Sequence, residues 1–191
     1  MELTEASEPA LPEGWALVRA LPHRRKLQVA ALSALLTIGC FVRFGFSERA
    51  LVGSLFAATL ALLTATDLER RLIPNVVVLP ATALVLIAQI AFFPDRTLEW
   101  ILASFGAALF FFIPLLVYPA GLGMGDVKLA ALMGAALGKS VAAAILGALL
   151  AGAAYAIFVL VREGMSARRK AIPYGPFLAA GGLVVLFVGG H

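Results

Sequence analysis

Gly121-Leu-Gly-Met-Gly-Asp126-Val-Lys128 is the stretch that decides how the rest of this chain is interpreted, because three glycines at alternate positions lead directly to a carboxylate. The stretch lies between two long apolar runs. A charged carboxylate is costly in the hydrocarbon of a membrane, so an acid at such a place is a functional hypothesis that needs a partner. The glycines beside it allow another backbone to approach closely.

A second aspartate offers that partner. Asp67 stands at the end of an earlier apolar run, Leu60-Ala-Leu-Leu-Thr-Ala-Thr-Asp67. The other acids lie near the N-terminus or in predicted loops, and both histidines, His23 and His191, lie in the tails. Asp67 and Asp126 are therefore the candidate pair of functional carboxylates.

The composition is that of a membrane protein. Of the 191 residues, 62% are hydrophobic and only 14% are charged, and the mean hydropathy is +0.99. A soluble domain of this size could not bury so much apolar surface. The sequence therefore predicts an all-α, polytopic transmembrane bundle of about six to seven spans, with the lipid bilayer as its surroundings. The small net charge of +4 indicates a bias between loops and not nucleic-acid binding.

We divide the chain into a polar cytoplasmic tail at residues 1–26 and a membrane-embedded domain at residues 27–190. The predicted spans cover about residues 27–44, 50–66, 76–93, 98–118, 127–137, 140–161 and 172–188. The fifth span is short for a full crossing, so it is expected either to include part of the glycine loop within the membrane or to tilt little. We expect no metal site and no cofactor, because Cys40 is the single cysteine and no histidine lies in a span.

The basic residues predict the orientation of the bundle. If the N-terminus is cytoplasmic, eleven of the 15 Lys and Arg residues lie inside and four, Arg43, Arg49, Arg96 and Lys139, lie outside. This split agrees with the positive-inside rule. Asp67 and Asp126 are separated by two predicted crossings, so both lie on the same side, which the charges indicate to be cytoplasmic.

Two carboxylates at one membrane face can share a proton, because like charges in a poorly hydrated site are costly to ionise together. The ionised member then activates a water while the protonated member polarises a carbonyl group. The alternative for either residue is a helix cap or a surface charge. This alternative remains open for Asp67, whereas the three flanking glycines make it weaker for Asp126.

Three motifs resemble those of a known family. Gly123-Met-Gly-Asp126-Val-Lys128 resembles the GxGD motif of polytopic aspartic proteases. Asp67 with Arg70-Arg-Leu-Ile-Pro-Asn75, and Ile172-Pro-Tyr-Gly-Pro-Phe177, resemble segments of the bacterial type IV prepilin peptidases. The resemblance covers about residues 50–182. It implies cleavage of the leader peptides of prepilin-like or pseudopilin precursors at the cytoplasmic face of the inner membrane, with Asp67 and Asp126 as the catalytic pair.

The resemblance also implies a substrate-binding loop. Gly123 and Gly125 would let an extended substrate strand lie against the chain, with Lys128 beside them. The long family members carry an N-terminal insertion with paired cysteines, associated with zinc and N-methylation, for which this sequence with its lone Cys40 has no counterpart. It resembles the short form of tight-adherence (Flp) pilus systems, so methyltransferase activity is not expected.

Two other functions fit the same residues. A proton-coupled transporter subunit would use the two aspartates as a relay, although no internal inverted repeat is visible in the sequence. A catalytically inactive assembly component of a pilus or secretion system would keep only the fold. The sequence indicates nothing about the oligomeric state.

Overall fold

The structure is a computed structural model that describes residues 13–117, 123–163 and 174–189. Eight α-helices and two 3-10 turns account for these residues. The helices are α1 (Glu13–Arg19), α2 (His23–Phe44), α3 (Glu48–Arg70), α4 (Asn75–Phe92), α5 (Thr97–Val117), α6 (Met124–Leu137), α7 (Val141–Glu163) and α8 (Gly175–Val188). The 3-10 turns are Pro94–Arg96 and Gly138–Ser140.

The described residues form the helical membrane bundle that the composition predicted. Five stretches are long and apolar enough to cross a membrane: His23–Phe44, Glu48–Arg70, Asn75–Phe92, Pro94–Val117 and Met124–Arg162. The last of these contains both α6 and α7, and α8 is a shorter apolar helix. The seven predicted spans correspond to α2 through α8. In the region assigned to the polar tail, α1 is helical and α2 already begins at His23.

Helix α3 begins and ends at clear local signals. The hydroxyl of Ser47 accepts a hydrogen bond from the N–H of Ala50 at the N-terminus, as a serine N-cap does. At the other end Arg71 adopts the left-handed conformation, with φ 53° and ψ 38°, and its N–H donates to the carbonyl of Asp67. The chain then turns through Pro74, which immediately precedes α4 and needs no N–H there. The C-terminus of α3 and the N-terminus of α4 thus lie at the same end of the bundle.

Helix α6 is the centre of the bundle, and every residue from Leu129 to Leu137 except Ala131 is buried. It contacts α5 over most of its length, and Gly134 makes this possible because a Cβ there would collide with the backbone of Ala103. Close helix packing at small residues is expected in membranes, where lipid tails compete with apolar side chains. Gly147 in α7, in contrast, has open space beside it.

The fifth predicted span begins earlier than expected. Helix α6 starts at Met124, so Gly125 and Asp126 belong to its first turn and not to a preceding loop. The short span therefore includes part of the glycine motif. This was one of the two possibilities that we considered for a span of this length. Residues 118–122, which include Gly121, lie outside the described residues.

Candidate active site

Asp67 lies in the last turn of α3, and its side chain is buried, with 8% of the residue exposed. The C-terminus of a helix carries partial negative charge and is unfavourable for a carboxylate. Asp67 is therefore not a cap of its own helix, nor a surface charge, and the alternative that the sequence left open does not hold for it. The carboxyl group of Asp67 therefore needs stabilising groups from outside α3.

The N-terminus of α8 provides that stabilisation. A Cβ at Gly175, the first residue of α8, would stand 2.5 Å from Oδ2 of Asp67. The N–H of Gly175 lies close to the carboxyl group, as does the positive charge of Arg71, although Oδ2 itself has no hydrogen-bond partner among the described residues. Helix N-termini attract anions through their partial positive charge and unpaired N–H groups. Asp67 thus connects two helices that are distant in sequence.

Asp126 occupies the third position of α6 and is half-buried. Its Oδ2 accepts a hydrogen bond of 3.2 Å from the N–H of Gly123, and its own N–H donates to the Gly123 carbonyl at 3.0 Å. This is the acidic half of a capping box, in a position favoured by the helix dipole. The expectation that glycines argue against a capping role was wrong, since Asp126 makes the capping bond to a glycine.

The two aspartates line one cavity of about 310 Å³ at this end of the bundle. The volume falls at the lower end of the range typical of ligand-binding clefts. Its other lining residues come from the α3–α4 connection and the start of α6: Arg71, Leu72, Ile73, Asn75, Gly123, Met124, Gly125 and Lys128. A negative charge on either carboxyl group would act on the other across this cavity. The structure confirms the prediction from sequence that Asp67 and Asp126 lie at the same end of the bundle.

The substrate-loop role that the sequence suggested for Gly123 and Gly125 stays a prediction, and the structure shows what surrounds each of them. Among the described residues only Gly45 and Gly138 have positive φ, so Gly123 and Gly125 use ordinary backbone conformations. The space beside Gly125 is filled by the chain itself, because a Cβ there would be 3.0 Å from the Cβ of Ile73. A Cβ at Gly123 would meet Oδ2 of Asp126 at 3.6 Å, an ordinary contact. Gly125 therefore allows close packing of the α3–α4 connection.

Lys128 lines the cavity and links two of its walls. Its Nζ donates to Oδ1 of Asn75 over 2.6 Å, so the first turn of α6 is held to the first turn of α4. Both residues were part of quoted motifs. The sequence singled out only Lys128, because contact between positions 75 and 128 depends on the packing of α4 against α6.

Sequence reasoning quoted Arg71 and Gly175 inside motifs without giving either a role. Arg71 is the only non-glycine residue with positive φ among the described residues, and such conformations are held in place by their surroundings and concentrate at functional sites. Gly175 carries a signal in the sequence, since it stands between Tyr174 and Pro176 at the start of an apolar run. Its contact with Asp67 arises only from tertiary packing.

The described residues contain no cluster of candidate metal ligands. Within residues 13–117, 123–163 and 174–189, no three or more His, Cys, Asp or Glu side chains cluster as metal ligands would. Asp67 and Asp126 are the acids that line the cavity, and Arg71 and Lys128 are its basic residues.

The fold and the cavity define a class of protein: a polytopic helical membrane protein with two aspartates at one end of the bundle. A family model described as the type IV leader peptidase family matches residues 54–157, more than half of the chain. The chain belongs to this family, as the three motifs implied. The match runs from within α3 through most of α7 and includes both aspartates.

Curated relatives carry the description prepilin leader peptidase/N-methyltransferase. The protein from Bacillus subtilis is 30% identical over 83% of this chain and 64% of its own length. Those from Burkholderia pseudomallei and Pseudomonas aeruginosa are each 31% identical, over 82% and 90% of this chain and 52% and 61% of their own lengths. The chain thus spans between about half and two-thirds of these relatives. No solved structure matches it.

Proposed function

We propose that this chain is a membrane aspartic endopeptidase that cleaves the leader peptide from prepilin-like precursors. The main observation in support of the proposal is that Asp67 and Asp126 line the same cavity. Membership of the type IV leader peptidase family supports it, as do relatives described as prepilin leader peptidases. We propose only the peptidase half of that description for this chain, because the two aspartates in one cavity support it.

In the proposed mechanism the two carboxyl groups hold one proton between them. The ionised group removes a proton from a water molecule, whose oxygen attacks the carbonyl carbon of the scissile peptide bond. The protonated group donates a hydrogen bond to the carbonyl oxygen as negative charge develops on it. The C–N bond then breaks, and the leaving amine takes up a proton from the carboxyl that received one from water.

The surroundings of the aspartates support a division of labour between them. Asp67 is buried and has an oxygen without a hydrogen-bond partner in the described residues, whereas Oδ2 of Asp126 already accepts a bond from Gly123. The N–H of Gly175 and the charge of Arg71 lie near Asp67, but neither donates a hydrogen bond to Oδ2, and a buried carboxyl oxygen without a donor is costly as an anion. We assign the shared proton to Asp67 and the activation of water to Asp126.

The proposed substrates are apolar helical precursors that carry a short leader at the cytoplasmic face of the inner membrane. Two points support this orientation: both aspartates lie at one end of the bundle, and the sequence predicts eleven of the 15 basic residues on that side. Among such precursors we favour Flp-type prepilins of tight-adherence systems, because the sequence resembles the short form of the family.

The test is cleavage of purified prepilins by the chain in membranes. Asp67→Ala, Asp126→Ala and the double variant should all show near-background cleavage, because groups that act as one unit are strongly non-additive. Asp95→Ala serves as the matched control, since Asp95 is exposed and lies in the 3-10 turn Pro94–Arg96 outside the cavity. If Asp67→Ala keeps more than about a tenth of the wild-type rate at equal abundance, a loss of only ~1.4 kcal/mol, the two-aspartate mechanism is wrong.

Cleavage and proton flux, measured on the same preparations, separate the alternatives. A transporter subunit would show proton flux in liposomes that depends on Asp67 and Asp126 but no cleavage, and an inactive assembly component would show neither. Offering a Flp-type and a classical type IV prepilin in parallel tests the substrate subclass. Cleavage of the classical prepilin alone would refute the preference for Flp-type substrates.

A further inference from the structure

On the basis of the proposed peptidase function, on which this assignment rests, we propose that Arg71 binds a carboxylate side chain of the substrate close to the scissile bond. Arg71 follows the last residue of α3 and lines the cavity that contains Asp67 and Asp126. The planar fork of N–H donors on an arginine matches a carboxylate through two parallel hydrogen bonds. Arg71 thus selects precursors that carry an aspartate or a glutamate at that position.

The backbone at Arg71 does not explain why an arginine stands there. Its N–H donates to the carbonyl of Asp67 over 2.8 Å, and its φ of 53° and ψ of 38° place it in the left-handed region. Glycine is the usual residue at such a helix end, because it has no Cβ. Arg71 instead carries a long charged side chain, and the residue is exposed. The fixed backbone holds the base of this side chain one turn from the buried aspartate.

The guanidinium of Arg71 is available for a ligand. Its positive charge lies close to Asp67, yet the two side chains form no ion pair, and Oδ2 of Asp67 has no hydrogen-bond partner among the described residues. Glu69, an acid close to Arg71 in sequence, pairs with Arg25 at 2.5 Å instead. Within residues 13–117, 123–163 and 174–189, therefore, no group accepts a hydrogen bond from the side chain of Arg71.

The net charge of the cavity favours an anionic ligand. Its charged lining residues are Asp67, Asp126, Arg71 and Lys128. With the single shared proton of the proposed mechanism, the two carboxyl groups together carry one negative charge, whereas the two bases carry two positive charges. One positive charge is therefore unbalanced. Lys128 already donates to Oδ1 of Asn75 over 2.6 Å, so Arg71 is the cation of the lining whose donors remain unused by the described residues.

The separation of Arg71 from Asp67 indicates which substrate positions the guanidinium reaches. Residues one helical turn apart have Cβ atoms about 5–6 Å from each other. An extended peptide spans at most ~3.6 Å per residue. Once the length of the arginine side chain is included, a substrate whose scissile bond lies at the aspartates presents a side chain to Arg71 within about four residues of that bond. A carboxylate at this distance meets the guanidinium without entering the space between the two aspartates.

The experiment measures cleavage of fluorogenic peptides that span the scissile bond of a prepilin, by the purified chain in a neutral detergent. Glutamate and its neutral isostere glutamine are compared at each position within about four residues of the bond. At one or two positions we expect glutamate to raise kcat/KM at least about tenfold over glutamine. The gain should lie mainly in a lower KM, because the carboxylate is bound equally in the ground state and in the transition state.

Arg71→Gln should abolish this preference, and Arg71→Gly should do the same while it relieves the left-handed backbone, so that loss of folding is not the cause. Arg70→Gln is the matched control, because Arg70 is the adjacent exposed arginine at the end of α3 and does not line the cavity. If Arg71 acts only through its charge on Asp67, Arg71→Gln changes kcat for glutamate and glutamine peptides by the same factor. That result, or a preference that Arg70→Gln also loses, overturns the proposal.

Binding of the same peptides, labelled with fluorescein and followed by anisotropy, separates the carboxylate site from the peptidase assignment. Cleavage of no peptide by the wild type contradicts the proposed function, whereas the ratio of Kd for glutamine and glutamate peptides still tests Arg71. A ratio of at least about ten that falls to about one in Arg71→Gln supports the site. Equal Kd values at every position refute it.

Discussion

The first residue of α8, Gly175, lies directly against the carboxyl group of Asp67 in the last turn of α3, with room for no side chain between them. This contact joins a segment near the C-terminus to the buried aspartate. It also places the favourable N-terminal end of α8 beside a carboxylate that stands at the unfavourable end of its own helix. The position of Asp67 therefore depends on a residue more than a hundred positions away.

Gly175→Ala should reduce cleavage by at least tenfold. The added methyl group would stand 2.5 Å from Oδ2 of Asp67, a distance that real contacts do not reach, so the carboxyl or the helix has to move. Displacements of this size exceed the ~0.5 Å tolerance of a preorganised site. Gly147→Ala, a helical glycine with open space beside it, is the control. Wild-type cleavage by Gly175→Ala would show that the contact with Asp67 has no role in activity.

Two substitutions of Asp126 should separate its capping role from its proposed chemistry. Asp126→Asn keeps an oxygen that can accept the N–H of Gly123, so thermal stability should stay close to that of the wild type while cleavage is lost. Asp126→Ala should lose cleavage and also ~0.5–2 kcal/mol of stability with the cap. Rates and unfolding midpoints are measured on the same preparations. Substantial cleavage by Asp126→Asn would show that Asp126 serves only as a helix cap.

Gly125→Ala should disturb the cavity through Ile73. The new Cβ would lie 3.0 Å from the Cβ and 3.2 Å from the Cδ1 of Ile73, so the α3–α4 connection has to shift. We expect reduced cleavage that Ile73→Gly, which removes the contacting Cβ, partly restores in the double variant, a coupling typical of residues in contact. Gly123→Ala should be milder, since its nearest contact is at 3.6 Å. An equal loss in both single variants, with no rescue, would contradict this packing role.

Reporter fusions test the orientation of the bundle. A reporter after Arg71 should report the cytoplasm and one near Asp95 the opposite side, because α4 separates these positions and most basic residues lie at the aspartate end. Labelling of single cysteines at Arg71 and Asp95 in a Cys40→Ala background gives an independent measurement. An external location of Arg71 would refute cytoplasmic cleavage by this chain.

The sequence by itself determined the membrane bundle, the order of its helices and the fact that both aspartates lie at the same end. These features follow from local composition, from span lengths and from the number of crossings between Asp67 and Asp126, none of which needs contacts between distant residues. It also contained every motif that lines the cavity. It could not show that Ile73 packs against Gly125.

Only the tertiary structure decided which groups surround each aspartate. Gly175 at Asp67 and Lys128 at Asn75 are contacts between separate helices. In a membrane bundle, such contacts depend on how closely small residues allow helices to pack, as at Gly134 against Ala103. The hydropathy pattern states which segments enter the membrane, but it carries no information on their rotation or neighbours, because lipid and protein interior are equally apolar.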